Sequence, residues 1–160
     1  MRGLSLIRGL GVMALLALVA GCGAKKMIFG DGDTRIIATI EAAPDLNPDV
    51  EGRPSPLVMR AYVLRSPTAF ENAGFFGLYE DEAGTVGQDL IDRYQFIVEP
   101  GTTTTQEFRI DKDSGASHLG FLAAYRDLER ADWRAVMEPR LGKRNRITVE
   151  AGSLSMRLVE

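Results

Sequence analysis

Apolar and polar residues alternate through most of this chain, and this period of two restricts the fold more than any other feature. Ile36, Ala38 and Ile40 alternate with polar neighbours, and residues 57–63 and 94–98 repeat the pattern. Successive side chains of a β-strand point to opposite faces, so each segment predicts a half-buried strand. The same reasoning predicts eight short strands in all, at about residues 34–41, 57–63, 93–98, 102–110, 119–125, 133–137, 146–150 and 154–158.

The connections between these strands carry turn signals. Residues 119–125 are apolar on both faces, which predicts a central strand that is covered on both sides. Pro100-Gly101 provides a turn, so residues 93–110 predict a hairpin. A second predicted hairpin turn surrounds Gly142 and is basic. The basic residues of this turn are Arg140, Lys143, Arg144 and Arg146. They are best interpreted as a solvated turn; the alternative is that they bind an acidic surface on a partner protein.

One segment after the second strand interrupts the alternation. Ser66-Pro67 is a helix-start signal, and helical spacing follows it, weakened by Gly74 and Gly77. A helical insert is therefore predicted at about residues 66–90. Since no β-α-β alternation is present, the fold class predicted for residues 34–160 is all-β, a two-sheet antiparallel β-sandwich with this small insert.

The N-terminus has the pattern of an export signal. Arg2 and Arg8 precede an uncharged stretch at residues 9–20, which is too short to span a bilayer. Val19-Ala20-Gly21-Cys22 resembles the lipobox of bacterial lipoproteins, so residues 1–21 are predicted to be a cleaved lipoprotein signal peptide and Cys22 the lipidated first residue. Residues 22–33 are then a tether between lipid and domain. The residue after the cysteine is Gly23 and not Asp, and the resemblance to bacterial lipoproteins implies that this favours the periplasmic face of the outer membrane.

Composition excludes several classes of function. After removal of residues 1–21, 17 basic and 22 acidic residues remain, a formal charge of −5, which argues against a nucleic-acid partner. One cysteine and one histidine exclude disulfide frameworks and multi-Cys or multi-His metal sites. Ser117 is expected to point away from His118, which is interpreted as a histidine at a sheet edge. No catalytic residue, metal ligand or cofactor is predicted, apart from the acyl and diacylglycerol lipid on Cys22.

The segment from Pro44 to Pro56 is the strongest candidate for a functional loop. It holds four of the chain's seven prolines and joins two predicted strands. Proline restricts φ and lowers the entropy lost on ordering, so the loop could present Leu46 and Val50 to a partner. The alternative, a crossover stiffened for stability, is equally compatible with the composition.

Several motifs, in order along the chain, resemble those of the TssJ (VasD) lipoprotein family of type VI secretion systems. They begin with Leu46-Asn47-Pro48-Asp49 and Gly52-Arg53-Pro54-Ser55-Pro56 running into Val58-x-Arg60-x-Tyr62-x-Leu64. Phe70-x-x-Ala73-x-Phe75-Phe76-x-Leu78-Tyr79, Gly87-x-Asp89-Leu90 and Pro100-Gly101 follow. The last are Leu119-Gly120-Phe121-Leu122-Ala123-Ala124-Tyr125-Arg126-Asp127 and Trp133-Arg134. The similarity extends from the lipobox to about Trp133.

The resemblance implies a transthyretin-like β-sandwich that is a structural outer-membrane lipoprotein and no enzyme. It implies binding to the periplasmic C-terminal region of the inner-membrane subunit TssM, in a trans-envelope complex that also contains TssL. It further implies that the loop between the first two strands contacts TssM. The candidate contact residues in that loop are Leu46, Asn47, Pro48, Asp49, Val50 and, as the weaker candidate, Arg53.

Two other functions are compatible with the same sequence. A periplasmic β-sandwich lipoprotein could bind a small ligand, which would require a closed apolar cavity. A secretin-type pilot lipoprotein would bind a peptide of an outer-membrane channel. Arg60, Tyr62, Trp133 and Arg134 are expected to be structural and not interfacial.

Overall fold

The computed structural model describes residues 32–159, so the predicted signal peptide, Cys22 and residues 22–31 of the predicted tether lie outside the described residues. The described chain contains eight strands and a helical insert. The strands are β1 (Thr34–Ala42), β2 (Leu57–Leu64), β3 (Leu90–Val98), β4 (Thr103–Ile110), β5 (His118–Ala123), β6 (Arg134–Met137), β7 (Arg144–Ala151) and β8 (Met156–Val159). Between β2 and β3 lie α1 (Thr68–Asn72), α2 (Phe75–Glu80), α3 (Glu82–Val86) and a short 3₁₀ turn, Gly87–Asp89. No helix among these residues has the length and apolar character needed to cross a membrane.

The strands form two four-stranded sheets, which confirms the predicted all-β sandwich. The first sheet has the order β4-β1-β7-β8 and the second the order β3-β2-β5-β6. All pairings are antiparallel except that between β1 and β7, which is parallel. The inward side chains of both sheets form the main core, where the rings of Phe108 and Phe121 meet edge to face with centroids 5.7 Å apart.

Two predicted hairpins are wrong. The strands β3 and β4, within residues 93–110, belong to different sheets, and so do β6 and β7 on either side of Gly142. Gly101 and Gly142 have positive φ angles of 70° and 67°, as their turn signals suggested. Such a turn can reverse a chain within one sheet or carry it to the other, and the local sequence does not distinguish the two outcomes.

The helical insert covers the outer face of the second sheet. Gly74 separates α1 from α2, as the weak helical spacing suggested. Beneath the insert, Tyr62 donates a 2.9 Å hydrogen bond to the carbonyl of Leu78, and Phe70 packs on Gly120 of β5. This second core confirms that β5 is an internal strand covered on both sides.

Arginines fasten the same insert to the sheet. Arg60 donates a 2.7 Å hydrogen bond to the carbonyl of Tyr79, and its guanidinium lies 4.1 Å from the centre of the Tyr79 ring. Arg134 donates hydrogen bonds of 2.9 and 2.8 Å to the carbonyls of Phe70 and Ala73. The expected structural roles of Arg60 and Arg134, and of buried Tyr62, are confirmed by these contacts.

Candidate partner-binding site

The loop between β1 and β2 spans residues 43–56, and a tight turn at residues 49–53 exposes Val50. The amide of Asp49 donates to the carbonyl of Arg53 at 2.9 Å, and the amide of Gly52 donates to the carbonyl of Asp49 at 2.9 Å. Gly52 has a φ of 80°. Glycine adopts this left-handed conformation without steric cost. Val50 lies at the apex of this turn and is fully exposed to solvent.

The carboxylate of Asp49 organises the turn. Its Oδ1 accepts hydrogen bonds from the amides of Glu51 and Arg53 at 2.9 and 3.0 Å, and its Oδ2 accepts one from Nε of Arg53 at 2.9 Å. The backbone and then the side-chain hydrogen bonds from Arg53 hold the pKa of Asp49 below its ordinary value. Arg53 also pairs with Glu51 at 3.1 Å. Arg53 thus stabilises the turn, and its side chain remains largely exposed.

Asn47 anchors the loop to the body of the domain. Its side chain is buried; Nδ2 donates to the carbonyl of Pro56 and Oδ1 accepts from the amide of Arg126, both at 2.9 Å. Asn47 has a φ of 47°. Asparagine tolerates this left-handed region better than most residues. The partner contact of Asn47 stays a prediction; in this structure both polar groups of its side chain have partners within the domain.

Leu46, the first of the predicted contact residues, is buried in this structure. Its side chain is 0% exposed and belongs to the main core between the sheets. Burying a leucine contributes about 1.5–3 kcal/mol, so exposing it to a partner would have to overcome that cost. Leu46 and Asn47 thus hold the base of the loop, whereas Pro48, Asp49, Val50 and Arg53 lie at or near its surface.

A second loop, residues 124–133 between β5 and β6, faces this one. Tyr125 fixes its base by donating to the carbonyl of Ser155 at 2.8 Å, and burial raises the pKa of Tyr125. Further along, Asp127 accepts hydrogen bonds from Nε and the backbone amide of Arg130, at 2.6 and 3.3 Å. The pairing with Arg130 lowers the pKa of Asp127, so this wall carries a preformed ion pair.

Phe76 of the helical insert completes the surface. It is 64% exposed, and its ring meets Phe75 edge to face at 5.5 Å between centroids. Phe75 in turn stacks on Tyr79 at 5.3 Å and meets Trp133 edge to face at 5.4 Å. An exposed phenylalanine held in place by a packed aromatic cluster is a rigid apolar anchor.

These elements enclose an open cleft of about 710 Å³. We call it the loop-end cleft, since it lies at the end of the sandwich where β1 stops and the β1–β2 loop begins. Its lining residues are Pro48, Asp49, Val50, Phe76, Arg126, Asp127, Leu128, Glu129, Arg130 and Leu154. Apolar anchors surrounded by charged groups are typical of surfaces that bind proteins.

Phe76, Leu128 and Arg130 were not predicted as candidate contact residues. They are far from the β1–β2 loop in sequence and reach the cleft only through the packing of the insert and the β5–β6 loop. The sequence pair Phe75-Phe76 could have indicated an exposed aromatic residue in the insert. Two consecutive aromatic residues in a short helix point in different directions, so one of them is exposed when the other is buried.

The lone histidine lies at the opposite end of the domain. Ser117 Oγ is 2.6 Å from Nδ1 of His118, contrary to the expectation that the two side chains point apart, because Ser117 precedes the first residue of β5. The same Oγ donates a 2.6 Å hydrogen bond to the carbonyl of Arg65. Ser117 Oγ therefore joins the start of β5 to the residue that follows β2. Within residues 32–159, no cluster of His, Cys, Asp or Glu side chains could hold a metal ion.

Comparisons with solved structures agree with this architecture. The T6SS lipoprotein TssJ1 from Pseudomonas aeruginosa superposes with a TM-score of 0.75 and 36% sequence identity, over 79% of this chain and 95% of that one. Serratia marcescens Lip, described as a membrane-bound component of the type VI secretion system, superposes with a TM-score of 0.73 and 25% identity, over 79% and 96%. A chain in the structure described as the T6SS protein TssM C-terminal domain from EAEC gives a TM-score of 0.67 at 21% identity, over 79% and 98%, and shows the fold alone.

Sequence comparison gives two further results. A search of curated proteins finds no match to this chain. A family model described as type VI secretion lipoprotein (VasD, EvfM, TssJ) matches residues 34–154, which is nearly the whole described domain. The resemblance seen in the motifs is thereby confirmed, and the chain belongs to this family of type VI secretion lipoproteins.

Proposed function

We propose that this protein is a non-catalytic outer-membrane lipoprotein that binds the periplasmic C-terminal region of the inner-membrane subunit TssM through the loop-end cleft. The observation that carries the proposal is the pair of exposed apolar side chains, Val50 and Phe76, that line this cleft from separate, internally braced elements. The solved structure described as the TssM C-terminal domain also supports it, since that structure includes a chain of this fold.

The charged groups of the cleft fit a protein partner. Asp49 is paired with Arg53, and Asp127 with Arg130, so these two pairs beside the apolar anchors are already formed within the domain. A partner that covers these pairs does not have to desolvate an isolated charge at those positions, which would be costly. Burial of the Val50 and Phe76 side chains against the partner then supplies the favourable free energy of binding.

A lipid on Cys22 would complete this function. Each buried acyl CH₂ contributes about 0.8 kcal/mol, and two chains already give stable anchoring. An anchored domain and a partner held in the facing membrane meet at a raised effective concentration, so a contact of modest affinity suffices. In this proposal TssL belongs to the same trans-envelope complex and needs no direct contact with this chain.

The alternative functions receive less support. A small-ligand-binding sandwich requires an enclosed apolar cavity, whereas the loop-end cleft is open and has charged walls. Between the sheets, the core is filled by packed aromatic and aliphatic side chains. A pilot lipoprotein that binds a channel peptide would also use an exposed surface, and the choice of partner in the experiment below distinguishes it.

The experiment is a binding titration of residues 24–160 against the purified periplasmic region of TssM from the same genome. This segment holds the whole described domain, and the solved P. aeruginosa chain is covered to 95% by the same domain, so it is expected to fold independently. Val50→Asp and Phe76→Asp should each weaken binding by about 30-fold or more, as expected for central anchors. Leu141→Asp is the matched control, because Leu141 is 55% exposed at the other end of the domain.

The two outcomes are distinct. Loss of binding in both cleft variants, with the control unchanged, supports the proposed partner and its site. Binding of TssM that is unaffected by Val50→Asp and Phe76→Asp would place the contact elsewhere. Failure of the folded wild-type domain to bind TssM would overturn the proposed partner and favour the channel-peptide alternative.

A further inference from the structure

A line of three aromatic rings lies over the outer face of the second sheet, next to Phe76. The ring of Phe75 lies between those of Tyr79 and Trp133, with centroids 5.3 Å apart on one side and 5.4 Å apart on the other. We call these three residues the ring line. Phe76 contacts the middle of it, since its ring meets Phe75 edge to face at 5.5 Å. The position of Phe76 in the loop-end cleft therefore depends on how the ring line is held.

A guanidinium group lies against each end of the ring line. That of Arg60 is 4.1 Å from the centre of the Tyr79 ring, and that of Arg134 is 4.8 Å from the centre of the Trp133 ring. A cation over an aromatic face is attracted by the ring, and more strongly where water is excluded. Arg60 belongs to β2 and Arg134 to β6, so the second sheet holds the ring line at both ends.

The same two arginines also bind the ends of the short helices. The last carbonyls of a helix have no donor within the helix. Arg60 donates at 2.7 Å to the carbonyl of Tyr79 in the last turn of α2. Arg134 donates at 2.9 and 2.8 Å to the carbonyls of Phe70 and Ala73 at the end of α1. Helices of five and six residues are unstable on their own, so the insert takes its position from these contacts with the sheet.

The guanidinium of Arg60 is itself fixed from two further sides. The residue is 9% exposed, and its Nε donates a 2.9 Å hydrogen bond to Oε1 of Gln95, which lies opposite on β3. Its Nη1 lies 3.3 Å from Oε2 of Glu82 in α3, and the other oxygen of Glu82 pairs with Arg93 at 2.9 Å. Arg60 therefore joins β3, α3 and the end of α2 through one rigid, planar group.

We infer that Arg60 is a positioning residue of the loop-end cleft, which acts through the ring line to hold Phe76 in place. Arg60 does not line the cleft itself. The inference deepens the proposed function and rests on it for the identity of the partner. Binding through Phe76 is stronger when the ring is already fixed, because less side-chain freedom is then lost on association.

The first test is a double-mutant cycle on the binding of residues 24–160 to the periplasmic region of TssM. Arg60→Gln should weaken binding by about tenfold, whereas the same substitution made together with Phe76→Ala should add a loss of less than about twofold. A general loss of stability would act equally with and without the Phe76 ring. Arg60→Lys keeps the charge and one donor for the Tyr79 carbonyl, so its affinity should lie between those of wild type and Arg60→Gln.

Arg65→Gln is the matched control. Arg65 directly follows β2, and its Nη1 donates at 2.8 Å to the carbonyl of Gln88, in the 3₁₀ turn that ends the insert. The substitution therefore removes an arginine–carbonyl hydrogen bond of the same kind at a residue outside the ring line. This variant should bind TssM as wild type does.

A second measurement uses the free domain and does not depend on TssM. The amide of Leu78 donates to the carbonyl of Gly74 at 3.2 Å, so its hydrogen exchange reports whether α2 is in place. In Arg60→Gln this amide should exchange about tenfold faster or more, while the amides of β1 and β7 keep their wild-type protection. In Arg65→Gln it should exchange at the wild-type rate. If Arg60→Gln does not fold, Arg60→Lys carries both measurements, with smaller changes of the same sign.

Two results would overturn the inference. One is unchanged exchange of the Leu78 amide in the Arg60 variants. The other is a loss of TssM binding on Arg60→Gln that is as large with Phe76→Ala as without it. Both leave the proposed function intact, because its own failure is a different result, the absence of TssM binding by the folded wild-type domain.

Discussion

Asn47 of the β1–β2 loop accepts a 2.9 Å hydrogen bond from the backbone amide of Arg126, and this contact joins the two walls of the loop-end cleft. The same side chain donates to the carbonyl of Pro56 at 2.9 Å, across the base of its own loop. One buried amide group therefore sets both the shape of the β1–β2 loop and its distance from the β5–β6 loop. Shortening the loop through Asn47 would disturb the whole cleft, so point substitutions are the better probes.

Replacement of Asn47 should lower stability. Asn47→Ala leaves the amide of Arg126 and the carbonyl of Pro56 without their partner and puts alanine at a positive φ, so the free energy of unfolding should fall by about 2–4 kcal/mol. Asn47→Gly removes the same hydrogen bonds but tolerates the positive φ, so it should be the less destabilised of the two. Urea denaturation measures both. Two variants as stable as wild type would show that the Asn47 contacts do not hold the loop.

Gly120 should be intolerant of any side chain. A Cβ on Gly120 would lie 2.8 Å from Cε1 of Phe70. Gly120→Ala should therefore displace the insert and destabilise the domain by about 1–3 kcal/mol. Phe70→Leu should cost stability by itself, but the double variant should be more stable than the sum of the two single losses predicts, because the smaller residue relieves the clash. Strict additivity in denaturation experiments would count against this packing.

The turn that displays Val50 should depend on pH through Asp49. The folded-state pKa of Asp49 is lowered, so its stabilising contribution is present above the ordinary value of 3.8 and is lost as pH falls through the lower folded value. An NMR titration of the carboxyl carbon should give a midpoint below 3.8. Arg53→Gln keeps the backbone hydrogen bond but removes the guanidinium, so the midpoint should rise part of the way. A midpoint unchanged by this substitution would mean that the Arg53 side chain contributes nothing to the turn.

Cys22 should determine membrane attachment without affecting the fold. Cys22→Ala lies outside the described domain, so the variant should fold normally and appear in the soluble periplasmic fraction. Fractionation of cells that express each form measures this. Retention of Cys22→Ala in the outer membrane would contradict the lipid anchor.

Alternation of side chains predicted the strands well, because the faces of each strand are decided within a few residues. It did not predict the sheet to which each strand belongs. Pro100-Gly101 and the turn at Gly142 each connect strands of different sheets, a choice that depends on which surfaces pack together after the turn. The parallel pairing of β1 with β7 is likewise a product of distant packing.

The sequence pointed to the β1–β2 loop as a candidate site but did not show which of its side chains are exposed. The proline-rich composition identified the β1–β2 loop, but it did not distinguish which of its two apolar residues, Leu46 or Val50, is exposed to solvent. Leu46 is buried in the core and Val50 is exposed to solvent, because the chain turns at Asn47, which has a positive φ, between the two residues. The contribution of Phe76 depends on the placement of α2, which is separated from the loop by the whole of β2 and α1.

The most direct test of the account is a hydrogen-exchange footprint of the TssM periplasmic region on this domain. Backbone amides should become protected at residues 48–53, 75–77 and 126–130 when the domain is saturated with the partner, whereas residues 138–143 should exchange as in the free domain. Protection at the β1–β2 loop, the β5–β6 loop and α2 together is what the loop-end cleft predicts. Protection confined to residues 138–143, with the cleft unchanged, would contradict it.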